Sequence, residues 1–182
     1  MAFYLSLILA VVSRLIPHPA NFTPIGSLIF MNSRKSSLLK GVALAILVMI
    51  VSDIFLGFSF ASVFVYIGFV GYALLGRVKK IPPVLGVILG SIGFFIISNF
   101  GVFIGPWYQH SLAGLLQCFA NAIPFYRNTI LADVVFVIMI IVFEKLYVKI
   151  KNKYKFMAVF GWNKNLIHKL KKEERGSRTQ GQ

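Results

Sequence analysis

Residues 38–57 read LLKGVALAILVMIVSDIFLG, and after Lys40 only Ser52 and Asp53 interrupt the apolar side chains. A helix needs roughly 20 predominantly apolar residues to cross the hydrocarbon core of a bilayer. This stretch therefore predicts a membrane-spanning helix. Apolar runs of similar length follow at 60–76 and 84–104, so the chain is expected to be an all-α, polytopic membrane bundle.

The composition of the whole chain excludes a soluble globular protein. Of the 182 residues, 58% are hydrophobic and only 13% are charged, whereas soluble domains are about 45–50% apolar and about 25% charged. The mean hydropathy is +0.80. A globule of this size has too little interior for so many apolar side chains, and the lipid bilayer is the expected partner.

We predict about six transmembrane helices, of which the first two flank a proline-rich loop. The first covers residues 3–16 and lacks the basic start and the cleavage site of a signal peptide. It ends where Pro17, Pro19 and Pro24 forbid a continuous helix. The second, residues 25–31, is short and becomes a full span only if it begins within that loop.

The region 112–147 is too long for one membrane helix, and Pro124 is expected to break it. Residues 112–123 are then a half-span or reentrant segment that returns to the side it left, or alternatively an interfacial helix. Residues 129–148 form the sixth span. Such irregular backbone is tolerated at membrane depth only where protein or a cavity surrounds it.

The basic residues predict the orientation. With both termini in the cytoplasm, seventeen of the nineteen Lys and Arg lie on the cytoplasmic side, and only Arg14 and Arg127 lie outside. This is the pattern of a multi-pass protein of a bacterial cytoplasmic (inner) membrane. We divide the chain into a transmembrane domain, 1–147, and a basic cytoplasmic tail, 148–182, that is expected to be partly disordered.

Polar residues within the apolar region gather towards the outer face. An ionisable group inside a span is costly, so its presence is by default a hypothesis of function. We predict an outward-facing pocket for a small polar or anionic molecule. Its candidate residues are Arg14, His18, Asn21, Asp53, Asn99, Trp107, Tyr108, Gln117, Asn121, Arg127, Asn128 and Asp133.

A structural interpretation of the charges stays open beside this one. Arg14 and Arg127 match Asp53 and Asp133 in number, so two ion pairs between helices would account for all four. No metal site is expected, because no His-x-x-x-His or Cys-x-x-Cys spacing occurs. No enzyme is expected either, because no nucleophile motif or Gly-rich phosphate loop is found, and no cofactor is implied.

Small residues predict where helices approach closely. Ala2, Ser6 and Ala10 form one stripe along the first span, which is either a contact for a partner protein or a surface for packing within the chain. Gly86 and Gly90 form a second stripe, for which internal packing is expected. The basic tail is interpreted as an anchor on anionic lipid, and no base-reading element supports a nucleic-acid partner.

Four segments carry a resemblance: RLIPHPANFTPIGSL (14–28), SDIFLG (52–57), SNFGV (98–102) and AIPFYRNTILAD (122–133). Through them, residues 1–147 resemble a family of uncharacterised bacterial membrane proteins. More distantly, the family is similar to the substrate-binding S components of energy-coupling-factor (ECF) transporters. That resemblance implies six helices, a substrate cap at residues 18–24, and contact of Ala2, Ser6 and Ala10 with a coupling subunit that works with ATPases. The serine in the stripe and the long basic tail depart from the pattern.

The resulting hypothesis is a membrane-embedded substrate-capture subunit of a bacterial uptake system for a small, vitamin-like molecule. The alternative is a non-transporting membrane scaffold, in which the polar residues hold helices together and the basic tail binds lipid or protein.

Overall fold

The computed structural model describes the backbone of residues 2–179 and the side chains of residues 3–152. Within these residues every regular element is an α-helix, which confirms the all-α prediction. The helices are α1 (Ala2–Leu15), α2 (Ile25–Lys35), α3 (Leu38–Leu56), α4 (Ser62–Arg77), α5 (Pro83–Phe103) and α6 (Leu112–Thr179). The chain divides into two compact units, Met1–Met139 and Ile140–Gln182.

Local sequence signals set several helix ends. The Ser37 hydroxyl accepts a hydrogen bond from the backbone N–H of Lys40 at 3.3 Å and so caps α3. At the other end of α3, Gly57 has φ = 91°, a conformation that favours glycine. Pro83 opens α5, where a missing N–H costs nothing.

Helix α2 lies in the middle of the first unit. It packs against α1, α3, α4 and α5, and residues 25–31 together with Ser33 are all buried. Its 11 residues span only about 16 Å at 1.5 Å per residue, roughly half of the hydrocarbon thickness. The short second run is therefore a buried half-length helix and not a full span.

Glycines on α5 allow aromatic side chains to lie against its backbone. A Cβ atom on Gly90 would meet Tyr72 Cδ1 at 2.5 Å, and one on Gly86 would collide with the Phe30 ring. These contacts join α5 to α4 and α2. The prediction that Gly86 and Gly90 serve internal packing is confirmed.

The small stripe on α1 also faces the inside of the bundle. Ala10 is fully buried, Ser6 is 8% exposed, and the Asn32 amide donates to Ser6 Oγ at 2.9 Å. These two side chains are thus covered by the chain's own helices, and contact of this stripe with a partner protein stays a prediction. The side chain of Ala2 lies outside the described residues.

The outer surface of the bundle is apolar. Large side chains such as Tyr4, Ile8, Phe55 and Leu74 are more than half exposed, while Asp53 and Asp133 are each 2% exposed. Helices α3 and α5 are long and apolar enough to cross a membrane, with mean hydropathies of 2.3 and 2.0 and only 39% and 33% of their apolar windows buried. A core helix of a soluble protein would be mostly buried, so these features indicate a membrane-associated chain.

Helix α6 corrects the expected break at Pro124. The helix continues through this proline, and its backbone stays helical to Thr179. Proline removes one N–H and crowds the preceding turn, yet a long helix with packed neighbours tolerates it. Residues 112–123 are therefore part of a continuous helix and not a separate reentrant or interfacial segment, while the partial disorder expected of residues 148–182 stays a prediction.

Candidate functional site

A cavity of about 580 Å³ opens at one end of the first unit. It lies where α1, α3 and α5 end and where α4 and α6 begin, and Ile25 at the start of α2 contributes to its wall. We call this the cavity end. The opposite end carries Arg34, Arg77 and Lys79, whose side chains donate to backbone carbonyls of the α2 terminus and the α4–α5 loop, and we call it the basic end.

One face of α6 forms a large part of the cavity wall. Six residues of α6 line the cavity, and they recur at helical spacing on both sides of Pro124. They are Cys118, Asn121, Ala122, Phe125, Tyr126 and Thr129. Positions three, four, seven and eight apart lie on one side of an α-helix. The continuity of α6 through the proline is thus what brings the residues before and after it to the same wall.

The loop between α1 and α2 lies over the mouth of the cavity. His18, Asn21 and Thr23 line it. Asn21 has φ = 62°, a left-handed conformation that asparagine adopts more readily than most residues. The loop is fixed to α6, because the Asn128 amide donates to the Ala20 carbonyl at 2.9 Å.

Arg14 and Asp53 form an ion pair at the side of the cavity. Arg14 Nη2 donates to Asp53 Oδ1 at 2.8 Å, and the Tyr66 hydroxyl donates to Asp53 Oδ2 at 2.8 Å. Arg14 also contacts the Met49 sulfur. Arg14 lines the cavity, whereas Asp53 lies behind it. One of the two predicted structural ion pairs is therefore present.

Asp133 lies in a second polar cluster, one helical turn beyond the cavity residue Thr129. Its carboxylate accepts hydrogen bonds from the Tyr72 hydroxyl and from Ser27 Oγ, the latter at 3.3 Å. Gly26 permits this approach, since a Cβ there would lie 2.6 Å from Asp133 Oδ1. The cluster joins α2, α4 and α6 and does not line the cavity.

The predicted pocket residues divide into two groups. Six of them line the cavity: Arg14, His18, Asn21, Asn99, Tyr108 and Asn121. The other six do not. Asp53, Asn128 and Asp133 are bonded within the chain as described, and Gln117, Trp107 and Arg127 are exposed.

Arg127 differs most from its predicted role. It lies on the face of α6 opposite to the cavity, beside Ile123, Pro124 and Leu131. Within the described part of the chain it forms no ion pair, so only one of the two ion pairs that would account for all four charges is present. A hydroxyl pair from Ser27 and Tyr72 takes the place of the cation beside Asp133.

Sequence reasoning missed the apolar and aromatic part of the wall. It consists of Ile25, Leu56, Val65, Phe69, Phe94, Phe95, Val102, Phe125 and Tyr126. In an apolar chain these residues look like lipid-facing or core side chains, and only those of α5 and α6 lie one turn from a polar cavity residue that could have indicated them. Tyr66 was also missed, although a tyrosine inside an apolar run usually requires a hydrogen-bond partner.

Among the side chains that the structure describes, no group of three His, Cys, Asp or Glu could hold a metal ion.

Comparison with known proteins gives a family and nothing more specific. The model of a family of unknown function, DUF6580, matches residues 1–157. No curated protein and no solved structure matches the chain. The expectation of an uncharacterised family is confirmed, and the more distant similarity to S components finds no support in these comparisons.

Proposed function

We propose that this chain, which belongs to the DUF6580 family of unknown function, is a membrane-embedded protein that captures a small molecule in the cavity at its cavity end. The observation that carries the proposal is the cavity itself. It combines polar side chains with aromatic walls in about 580 Å³, which is the size and composition typical of small-molecule sites.

The distribution of charge supports an outward-facing cavity. Arg34, Lys35, Arg77, Lys79 and Lys80 lie at the basic end, and basic loops stay on the cytoplasmic side of bacterial membranes. The cavity end then faces outward. The short α2 does not alter this topology, because the chain still passes from the cavity end to the basic end between Leu15 and Lys35.

Uptake requires an energy source that this sequence lacks, since it contains no Gly-rich phosphate loop. In our proposal the chain is the capture subunit of a bacterial uptake system, as its resemblance to S components of ECF transporters implies, and a separate coupling subunit with ATPases drives transport. The buried positions of Ser6 and Ala10 leave the exposed apolar face of α1, with Tyr4, Ile8 and Val12, as the surface for that subunit.

Affinity purification from native membranes in mild detergent tests this proposal. We expect stoichiometric recovery of a membrane subunit and ATPases, and one small compound enriched in the extracted molecules. Ala122→Phe fills the cavity, whereas Ala120→Phe places the same side chain on the exposed side of the same helix. The compound should be lost only with Ala122→Phe. Recovery of the protein alone and without a compound contradicts the proposal.

A membrane scaffold is the second candidate, and one observation favours it. Asp53, Asp133 and Asn128 all bond to neighbouring elements of the chain, as expected where polar residues only hold helices together. Deletion of residues 156–182 discriminates between the two candidates. It should leave compound binding intact in a capture protein and abolish partner recruitment in a scaffold.

A further inference from the structure

Three polar side chains on the cavity wall, those of Ser98, Asn99 and Thr129, direct a hydrogen to a backbone carbonyl of their own helix. Ser98 Oγ donates to Phe94 O at 2.7 Å, and Thr129 Oγ1 donates to Phe125 O at 3.1 Å. A hydroxyl has one hydrogen and two lone pairs. These two groups can therefore offer a ligand only acceptor sites.

Asn99 and His18 extend the same pattern. The Asn99 amide donates one hydrogen to Phe95 O at 2.7 Å, which leaves Oδ1 as an acceptor beside the second hydrogen of Nδ2. His18 Nδ1 lies 2.7 Å from the Ile16 carbonyl. A carbonyl can only accept, so Nδ1 carries a hydrogen and Nε2 is the ring nitrogen left to meet a ligand.

The wall also lacks an unpaired positive charge. Of its residues, only Arg14 carries a full charge, and Asp53 neutralises it at 2.8 Å. Arg127 lies on the opposite face of α6. A carboxylate or phosphate ligand would thus meet no cation without a partner in this wall, and the transfer of an anion from water to such a site is unfavourable.

Aromatic rings form the rest of the wall. Phe95 and Tyr126 are 4.6 Å apart between ring centroids, and Phe69 and Phe94 are also 4.6 Å apart. Ring faces carry partial negative charge, so a ring face attracts cations and stacks on flat apolar groups.

From these contacts we infer that the cavity takes a non-anionic small molecule with a flat apolar body and N–H or O–H donors at its edge. This inference rests on the proposed function and gives its substrate class. It also corrects the expectation that Arg14 and Arg127 together neutralise a carboxylate or phosphate.

Three indole probes with one ring system and different polar groups test the inference. They are tryptamine, which is a cationic donor, tryptophol, which is a neutral donor, and indole-3-acetate, which is an anion. Binding of each probe to the purified full-length protein in lipid nanodiscs is measured by calorimetry. We expect Kd to be at least about tenfold lower for tryptamine and tryptophol than for indole-3-acetate, since the anion leaves the wall acceptors unpaired.

Three variants assign the binding to the cavity and to its acceptors. Ala122→Phe should abolish binding of all probes, and Ala120→Phe should not, which separates the cavity from partition into lipid. Asn99→Leu keeps the shape of the side chain but removes its acceptor. It should weaken tryptamine and tryptophol about tenfold and reduce their preference over indole-3-acetate.

Each outcome has a defined meaning. Equal or tighter binding of indole-3-acetate overturns the inference and leaves the capture function standing, because the cavity is still a binding site. Absence of binding for all three probes also overturns the inference, whereas the capture function is tested separately by the compound that co-purifies with the wild type and Ala120→Phe. If the preference for the donor probes persists in Asn99→Leu, Asn99 is not one of the acceptors that bind them.

Discussion

Tyr72 shows how one side chain stabilises the centre of the bundle. It is 1% exposed, and its hydroxyl donates to Asp133 while its ring fills the space beside Gly90. Tyr72→Phe keeps the ring and removes the hydrogen bond. We expect the free energy of unfolding to fall by about 1–2 kcal/mol, since the Asp133 carboxylate loses one of its donors in a buried site.

The control for Tyr72→Phe is Tyr147→Phe, because Tyr147 is 66% exposed. Thermal unfolding in the same detergent compares both variants with the wild type. Equal melting temperatures for Tyr72→Phe and Tyr147→Phe would contradict the stabilising role of this hydrogen bond.

Gly90 tests close packing at the residue scale. A Cβ atom at this position would lie 2.5 Å from Tyr72 Cδ1, whereas a Cβ on Gly93 of the same helix meets nothing within 4 Å. Gly90→Val should therefore lower the free energy of unfolding by about 1–3 kcal/mol through overpacking, and Gly93→Val should leave it nearly unchanged. Chemical denaturation followed by circular dichroism measures both, and equal losses would show that the α4–α5 contact is not close.

At the scale of the element, the sequence predicts long apolar helices better than it predicts their neighbours. The run in 38–57 has one interpretation, and α3 occupies Leu38–Leu56. Residues 25–31 have two interpretations, a truncated membrane span and a buried helix. A helix surrounded by protein on every side shows no polar face, so its sequence looks like that of a truncated span. Its burial depends on close approaches at Gly76 and Gly86, which periodicity within α2 does not reveal.

Pro124 shows a second limit of the same kind. A proline after a twelve-residue apolar run indicates a helix break in isolation, but α6 continues through it. The cavity residues Cys118 and Tyr126 then share a face that a break would have separated. Of the six predicted residues that line the cavity, only Asn121 lies on α6, and Arg127 does not line it because the continuous helix turns it to the other side.

Pro124→Ala tests the continuity of α6. In a continuous helix the alanine restores the missing backbone hydrogen bond, so we expect an increase of about 1 kcal/mol in the free energy of unfolding and unchanged binding of the co-purified compound. Differential scanning fluorimetry and extraction of bound molecules give both values. Loss of stability and of the compound would instead indicate that the proline forms a functional break.

At the scale of the whole molecule, the cavity end and the basic end predict opposite sides of the membrane. His110 and Lys79 are exposed at these two ends. In a Cys118→Ala background, His110→Cys should react with a membrane-impermeant maleimide added to intact cells, and Lys79→Cys should react only after permeabilisation. This follows because positive loops remain in the cytoplasm. Labelling of both positions from outside, or the reverse pattern, would contradict the proposed topology.

Native mass spectrometry of the protein released from lipid nanodiscs shows whether the cavity holds one small molecule. We expect one additional non-lipid mass per chain in the wild type and in Ala120→Phe, and its absence from Ala122→Phe, whose new side chain occupies the cavity. A spectrum without such a mass, or with phospholipid masses alone at equal levels in all three proteins, would contradict this expectation.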